Sequence, residues 1–520
     1  MRHRAAVICV AFSFAAALAT YVYSAPHFPA MWDTAEAQTV PYILGIAHPT
    51  GFPLFTLAGW AFTHAFAVGS VAWRMNVFSG LCTAAAAGGV SLLALNLGAG
   101  AVEAFFAALV FAWSQAVWNK GSHADPHAMS LMFVVWLLVF ALAYAQRGSA
   151  RYLVAACACG GLGLATHPEV LYSLPAIVVA LLVRRGAPAR ALALAAAALV
   201  LPLALYAYFP LRSAYVVAHH LDPNAVAPVS GSVPSEMDAN HPSTVEGFID
   251  EVSGRQFGAS NAALALFNLP QYPAAIAYWW QQAYLQLPPL AVILGAVGAL
   301  GLLVRDPRSA AVVIAGTFGT LPFVYVYKAV EGDPNRYFLP SFALVAALAA
   351  ASARIAIPRS TQDARSILVS ILLICTAWWQ WSASNGALNA RLDTGGQGAI
   401  DAVRQDIPDG SVVIAIWVDA TPLEYAQFID HSLGSRIIVP GWPGEFADRY
   451  AAWNRVKPVY IFADPHAMDN IHANFKASSV RDSISSDDYH HIVRIVSDRP
   501  AHLQEVVGPD HRSPHVGGGG

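Results

Sequence analysis

Charge is scarce in this chain. Only 12% of its 520 residues are Asp, Glu, Lys or Arg, against about 25% in an ordinary soluble domain. With 56% hydrophobic residues gathered in long runs, that scarcity excludes a soluble globule and leaves a polytopic membrane protein. Basic clusters are missing too. A net charge of −3, with no Lys/Arg group interleaved with aromatics, excludes nucleic acid as a partner. The five cysteines (Cys9, Cys82, Cys157, Cys159, Cys375) all lie inside apolar runs, which excludes a disulfide framework and a zinc knuckle. No glycine-rich phosphate loop and no internal repeat occurs.

Eleven runs are long enough, or nearly so, to span a bilayer: Ala5–Tyr23, Val77–Leu97, Ala101–Trp118, Ala128–Gln146, Tyr152–Thr166, Glu169–Val183, Ala191–Phe209, Pro288–Val304, Ser309–Tyr327, Phe338–Ala353 and Ser366–Trp381. The first follows Met-Arg-His-Arg, but it exceeds a signal-peptide core and Pro26 spoils the cleavage site, so it reads as a membrane helix. Arginines mark alternate connections: Arg2/Arg4, Arg147/Arg151, Arg184/Arg185/Arg190, Arg305/Arg308 and Arg354/Arg359/Arg365. By the positive-inside bias those connections and the N-terminus are cytoplasmic. Counting the apolar segment Phe52–Val68 as a span would break this alternation, so it is placed as a re-entrant or juxtamembrane helix.

The expected organisation is an all-α membrane domain over residues 1–384, with outer loops at 24–76, 119–127, 210–287 and 328–337. Residues 385–512 read as a small extracytoplasmic α/β domain. Val/Ile-rich strands at Ser411–Trp417, Arg436–Pro440, Pro458–Ala463 and His490–Ile495 alternate there with helical stretches, which predicts a largely parallel sheet. The Gly-rich end, 513–520, reads as a disordered tail.

Acidic residues are nearly absent from span interiors and gather at the outer ends: Asp33 and Glu36, Asp125, Glu169, and Glu331 with Asp333. A carboxylate at a membrane-edge cleft can take a proton from an acceptor hydroxyl or hold a divalent cation. Asp33 and Glu36, three apart, share a face when Trp32–Ile43 is helical. The plainer reading is helix capping, by Asp33 ahead of Thr34–Tyr42 and by Asp125 ahead of Pro126. His123, Asp125 and His127, at i, i+2 and i+4, are ligand types for zinc or manganese, or simply polar cover in a wet loop. The residues demand no cofactor, and a divalent metal is the one they allow.

His48-Pro49-Thr50-Gly51-Phe52-Pro53 reads as a rigid turn feeding the re-entrant helix. Arg212, Arg255, Arg336 and Lys328 are the minority of cations on the outer side. A guanidinium fork suits a lipid phosphate, with interfacial snorkelling as the competing role.

Together WDTAE, LGIAHPTGFPLF, AWRMNVFSG, ADPHAMS, YFPLRS and DPNRYFLP, spread from Trp32 to Pro340, resemble the membrane family whose eukaryotic members are protein O-mannosyltransferases of the secretory pathway. Such proteins are similar to the GT-C glycosyltransferases. The resemblance implies a polyprenyl-phosphate-linked sugar donor (mannose or another hexose or pentose), a protein or glycan acceptor, inversion at the anomeric carbon and an essential Asp in the first outer loop. That role maps onto Asp33, with Glu36 beside it and Trp32, His48, Pro49, Gly51 and Asp125 around it. Thr50 and Asp125-Pro126-His127 depart from the family's pattern, which commonly has a proline and a Glu-Val-Tyr-like motif there. A bacterial plasma membrane is the expected location. Rival readings are a lipid flippase or transporter, which would place ionisable groups mid-bilayer, and a membrane-anchored binding protein acting through its C-terminal domain.

Overall fold

The computed structural model describes residues 2–226, 235–255, 268–327, 333–355 and 362–496. Lys328, Glu331 and the 513–520 tail lie outside the described residues. The chain opens with helix α1 (Arg2–Ser24), α2 (Trp32–Ile43), α3 (Pro53–Ala65) and α4 (Val71–Asn96). Then come α5 (Ala101–Ala112), α6 (Gln115–Ser122), α7 (Pro126–Arg147) and α8 (Ala150–Leu164).

Among the described residues, six helical stretches are long and apolar enough to cross a membrane: Arg4–Ser24, Val71–Asn96, Pro126–Arg147, Ala189–His219, Pro307–Tyr327 and Asp363–Ala383. The pair α5 and α6, bent by 74°, makes a seventh when taken as one broken span. The expected eleven crossings are therefore not established. Every expected run is helical, but α8, Pro175–Arg184, Pro289–Arg305 and Leu339–Ile355 are short. The run Glu169–Val183 is split by proline geometry into a 3₁₀ turn, Pro168–Ser173, and a helix opening at Pro175. Conversely, the run Ala191–Phe209 does not stop at Pro210. That proline sits in the first turn of Tyr208–His219, where no N–H is needed, so Arg212 lies inside a helix rather than in an outer loop.

Small residues let helices approach closely. A Cβ on Gly298 would stand 2.1 Å from the Leu348 carbonyl oxygen, and one on Gly161 2.4 Å from that of Leu199. In lipid, where no hydrophobic gain separates helix from tail, such backbone-to-backbone packing is what holds spans together.

Beyond the spans, β1 (Val412–Ala415), β2 (Ile437–Pro440), β3 (Val459–Ala463), β4 (Val480–Ile484) and β5 (His491–Ile495) form one sheet in the order β2-β1-β3-β5-β4. β2, β1 and β3 are parallel; β5 and β4 are antiparallel. Alternating side chains bury both faces. Val413 and Ala415 pack on Ile400, Leu423 and Ala426, while Val412 and Ile414 pack on Phe446, Trp453 and Ile471. The largely parallel expectation holds for three strands. It misses β4, an edge strand reading Val-Arg-Asp-Ser-Ile whose exposed polar side chains carry no alternation.

This domain docks on α2. Helix Trp417–Phe428 lies along it, the Thr421 hydroxyl donates to the Trp32 carbonyl (3.0 Å), and the Gly396 N–H donates to the Pro29 carbonyl (2.9 Å). The Tyr425 hydroxyl accepts from the Ala72 N–H at 3.1 Å.

Candidate active site

A cavity of about 880 Å³ opens where α2, the 44–52 turn, the α6–α7 connection, the 333–337 turn and the C-terminal domain meet. Asp33 lies on its wall in the first turn of α2. The helix is capped by the Met31 position without any side-chain bond, so capping does not account for Asp33. Its side chain is 41% exposed to the cavity. One oxygen accepts from the Trp417 indole N–H at 3.0 Å, and the other stands 3.8 Å from an Arg336 nitrogen. Burial pushes its pKa up, but the His48 and Arg336 charges and the indole bond outweigh that and hold it below the ordinary carboxylate value. At neutral pH it is an anion.

Glu36 has a different task. It is buried, and both oxygens serve His48: one accepts the His48 backbone N–H (2.7 Å), the other pairs with its Nδ1 at 2.5 Å. Burial would depress His48, yet Glu36 and Asp33 lift it to about 9. An imidazolium therefore stands next to Asp33. The turn that carries it is rigid because Gly51 has φ +79°, and a Cβ there would meet the Phe209 ring at 2.3 Å and a Glu251 oxygen at 2.5 Å. Trp32 and Pro49 line the cavity; Gly51 shapes the turn behind it.

Asp125 does cap its helix, accepting the His127 N–H at 2.7 Å, but it also meets the Lys120 ammonium at 2.7 Å. Burial raises its pKa and Lys120 more than reverses this, leaving it well below the carboxylate range. Lys120 reaches Asp333 as well, at 3.2 Å. Sequence reading missed this lysine although it follows the run Ala101–Trp118 and falls in the 119–127 outer loop, where an outer-side cation was itself the available signal. The 74° bend between α5 and α6 leads into the short helix that sets it on the cavity wall.

The expected phosphate arginines divide. Arg336 lines the cavity. Arg212 instead donates to the Ile43 carbonyl at 3.1 Å, and Arg255 pairs with Asp250 at 2.8 Å on an exposed surface. The expected metal trio divides too. The His123 ring bonds the Asn119 carbonyl, Asp125 serves Lys120, and His127 turns to Glu169 at 2.9 Å. Among the described residues the group with mutually close ligand atoms is His127, His167 and Glu169, all within 4.8 Å. These satisfy one another: Ser130 also donates to Glu169, and the Glu169 N–H donates to His167 Nδ1. Burial and the neighbouring His127 push His167 down to about 3, so its ring is neutral.

The chain is an integral membrane protein, and its bundle of helices with a charged cavity beneath a small α/β domain is a fold with solved counterparts. The ArnT crystal structure from Cupriavidus metallidurans in the apo state superposes with a TM-score of 0.52 at 15% identity, covering 93% of this chain and 97% of that one. The same protein bound to undecaprenyl phosphate gives 0.50 at 14% identity, covering 95% and 98%. These likenesses concern the fold. Residues 33–189 match the family model described as the Protein O-mannosyl-transferase TMEM260 N-terminal domain. Over 166 residues the chain is 31% identical to Mus musculus Protein O-mannosyl-transferase TMEM260, which is 31% of this chain and 24% of that protein. The match thus spans about a quarter of the curated relative, and the YFPLRS and DPNRYFLP segments lie beyond the matched domain.

Proposed function

We propose that the protein transfers a sugar from a polyprenyl-phosphate carrier to an acceptor hydroxyl on the outer face of a bacterial plasma membrane, with the C-terminal domain on that same face. The observation that carries this reading is Asp33: an ionised carboxylate, open to the cavity, with the Arg336 guanidinium at 3.8 Å. The acceptor oxygen attacks the anomeric carbon as the carbon–oxygen bond to phosphate breaks. Asp33 receives the acceptor's proton, and polyprenyl phosphate leaves as an anion. Arg336 and Lys120, both on the cavity wall, are the cations suited to that phosphate; Arg212 and Arg255 have other partners and drop out of this role. Glu36 acts through His48 and touches no substrate.

The ArnT complex with undecaprenyl phosphate supports the donor class, and the matched relative's name supports mannose and a protein acceptor. A flippase is disfavoured because the ionisable residues gather in a cavity at the domain boundary. A divalent ion would be held by His127, His167 and Glu169, and no step is routed through it; equal turnover before and after chelation removes it from the mechanism. The reading is tested by incubating the purified protein with a panel of polyprenyl-phosphate sugars and Ser/Thr peptides. Transfer that is lost in Asp33→Asn is the expected result, and transfer that survives the substitution overturns the assignment.

A further inference from the structure

Beyond Glu36, two more glutamates are buried where the C-terminal domain meets the membrane domain. Glu236 and Glu424 are each 0% exposed, and among the described residues no hydrogen bond reaches any of their four carboxylate oxygens. Among the described residues neither makes an ion pair. The Thr39 hydroxyl lies beside Glu236 and donates to the Ala35 carbonyl at 2.8 Å, while the Glu236 backbone N–H lies beside the Glu424 carboxyl. More negative charge surrounds the pair: Glu36 faces both side chains and Asp222 faces Glu424. Glu36 is already neutralised by His48, and the Asp222 Oδ1 is taken by Ser235 and the Asn224 N–H. Left ionised and uncompensated here, two carboxylates would cost more than the few kcal/mol that separate folded from unfolded, so the pair needs a cation or a proton.

We propose that Glu236 and Glu424 ligate a hard divalent cation of the calcium class, which clamps the C-terminal domain to the membrane domain. A proton shared between the two acids is the alternative, and acid titration distinguishes the two. A cation bound at about 2.3–2.6 Å from oxygen ligands suits surroundings in which Glu36 and Asp222 add further carboxylates to the pair. The chemistry of the cluster is all oxygen, with neither sulfur nor imidazole on the pair, which selects Ca²⁺ over zinc or copper. Carbonyls are at hand: the Gly45 Cα is so close to the Glu236 carbonyl oxygen that a Cβ would approach it to 2.0 Å.

The placement gives the ion a mechanical role. Glu424 rides on the helix Trp417–Phe428, whose first residue holds Asp33, while Glu236 belongs to the loop that pairs with the 44–47 backbone through the Ala239 N–H and the Ile46 carbonyl. The ion joins the helix Trp417–Phe428 to this loop, which in turn holds the 44–47 backbone. This inference does not depend on the transfer reaction.

The test uses the full chain in detergent, chelated and then titrated with CaCl₂ alone. Saturable Ca²⁺ binding and an upward shift of the melting temperature are expected. Both should be lost or weakened at least about tenfold in E236Q and in E424Q, which keep the shape and remove the charge. Terbium(III) in place of Ca²⁺ should show luminescence sensitised by tryptophan in the wild type, a readout that needs no variant to fold. Absence of saturable binding, or binding unchanged in both variants, overturns the proposal. A wild type indifferent to Ca²⁺ but stabilised by acid, with the acid effect lost in E424Q, would assign the pair to a proton instead.

Discussion

Asp33 is held by two residues that lie far from it in the sequence, Arg336 and Trp417. Asp33→Asn preserves size and removes no cap, so the melting temperature should stay near wild type while transfer falls at least about a hundredfold, the lower bound for a lost general base. A collapse of stability with normal specific activity would instead make the residue structural. Trp417→Phe keeps an aromatic ring but deletes the indole donor. Turnover at saturating donor should fall about tenfold, the scale of one lost charge-assisted hydrogen bond, with donor KM unchanged. His48 yields a pH prediction. Its folded pKa of about 9 lies above the ordinary 6.5, so its pairing with Glu36 contributes stability fully below about pH 6.5 and loses it as pH rises through about 9. Melting temperatures between those values should decline in the wild type and flatten in His48→Gln.

At the scale of elements, two local breaks build the site. The bend after α5 brings Lys120 inward, and Gly51 folds the turn that presents His48. Packing depends on glycine elsewhere. Gly298 faces the Leu348 carbonyl across the pair Pro289–Arg305 and Leu339–Ile355, so Gly298→Val should separate those helices and cost about 1–3 kcal/mol or more. Thermal unfolding in detergent reads this directly, and an unchanged midpoint would show that the pair does not pack through that face.

For the whole molecule, orientation follows from arginine placement and is open to labelling. In a background freed of native cysteines, a cysteine at the exposed Asn474 should react with an impermeant maleimide on intact cells. One at the exposed Gln146 should react only after permeabilisation. The reverse pattern would invert the topology and move the cavity to the cytoplasmic side.

The sequence alone determined the membrane class, because charge-free runs cannot be anything else in water. It determined the Trp32–Ile43 helix that carries Asp33, the turn at His48–Pro53 and the 385-onward change to strand periodicity. Tertiary structure decided which distant groups share a cavity. Arg212 and Arg255 looked like phosphate ligands and His123 looked like a partner of His127, whereas their partners depend on which carbonyl or carboxylate lies nearby, and the place of Lys120 depends on the bend before α6. The number of crossings is not settled by hydropathy, which counts apolar residues without seeing prolines divide a run such as Glu169–Val183. Trp417 and the Glu236–Glu424 pair carry no sequence signal at all. Their meaning arises when a domain some 400 residues from Trp32 folds back onto α2, a long-range packing event that local propensity does not encode.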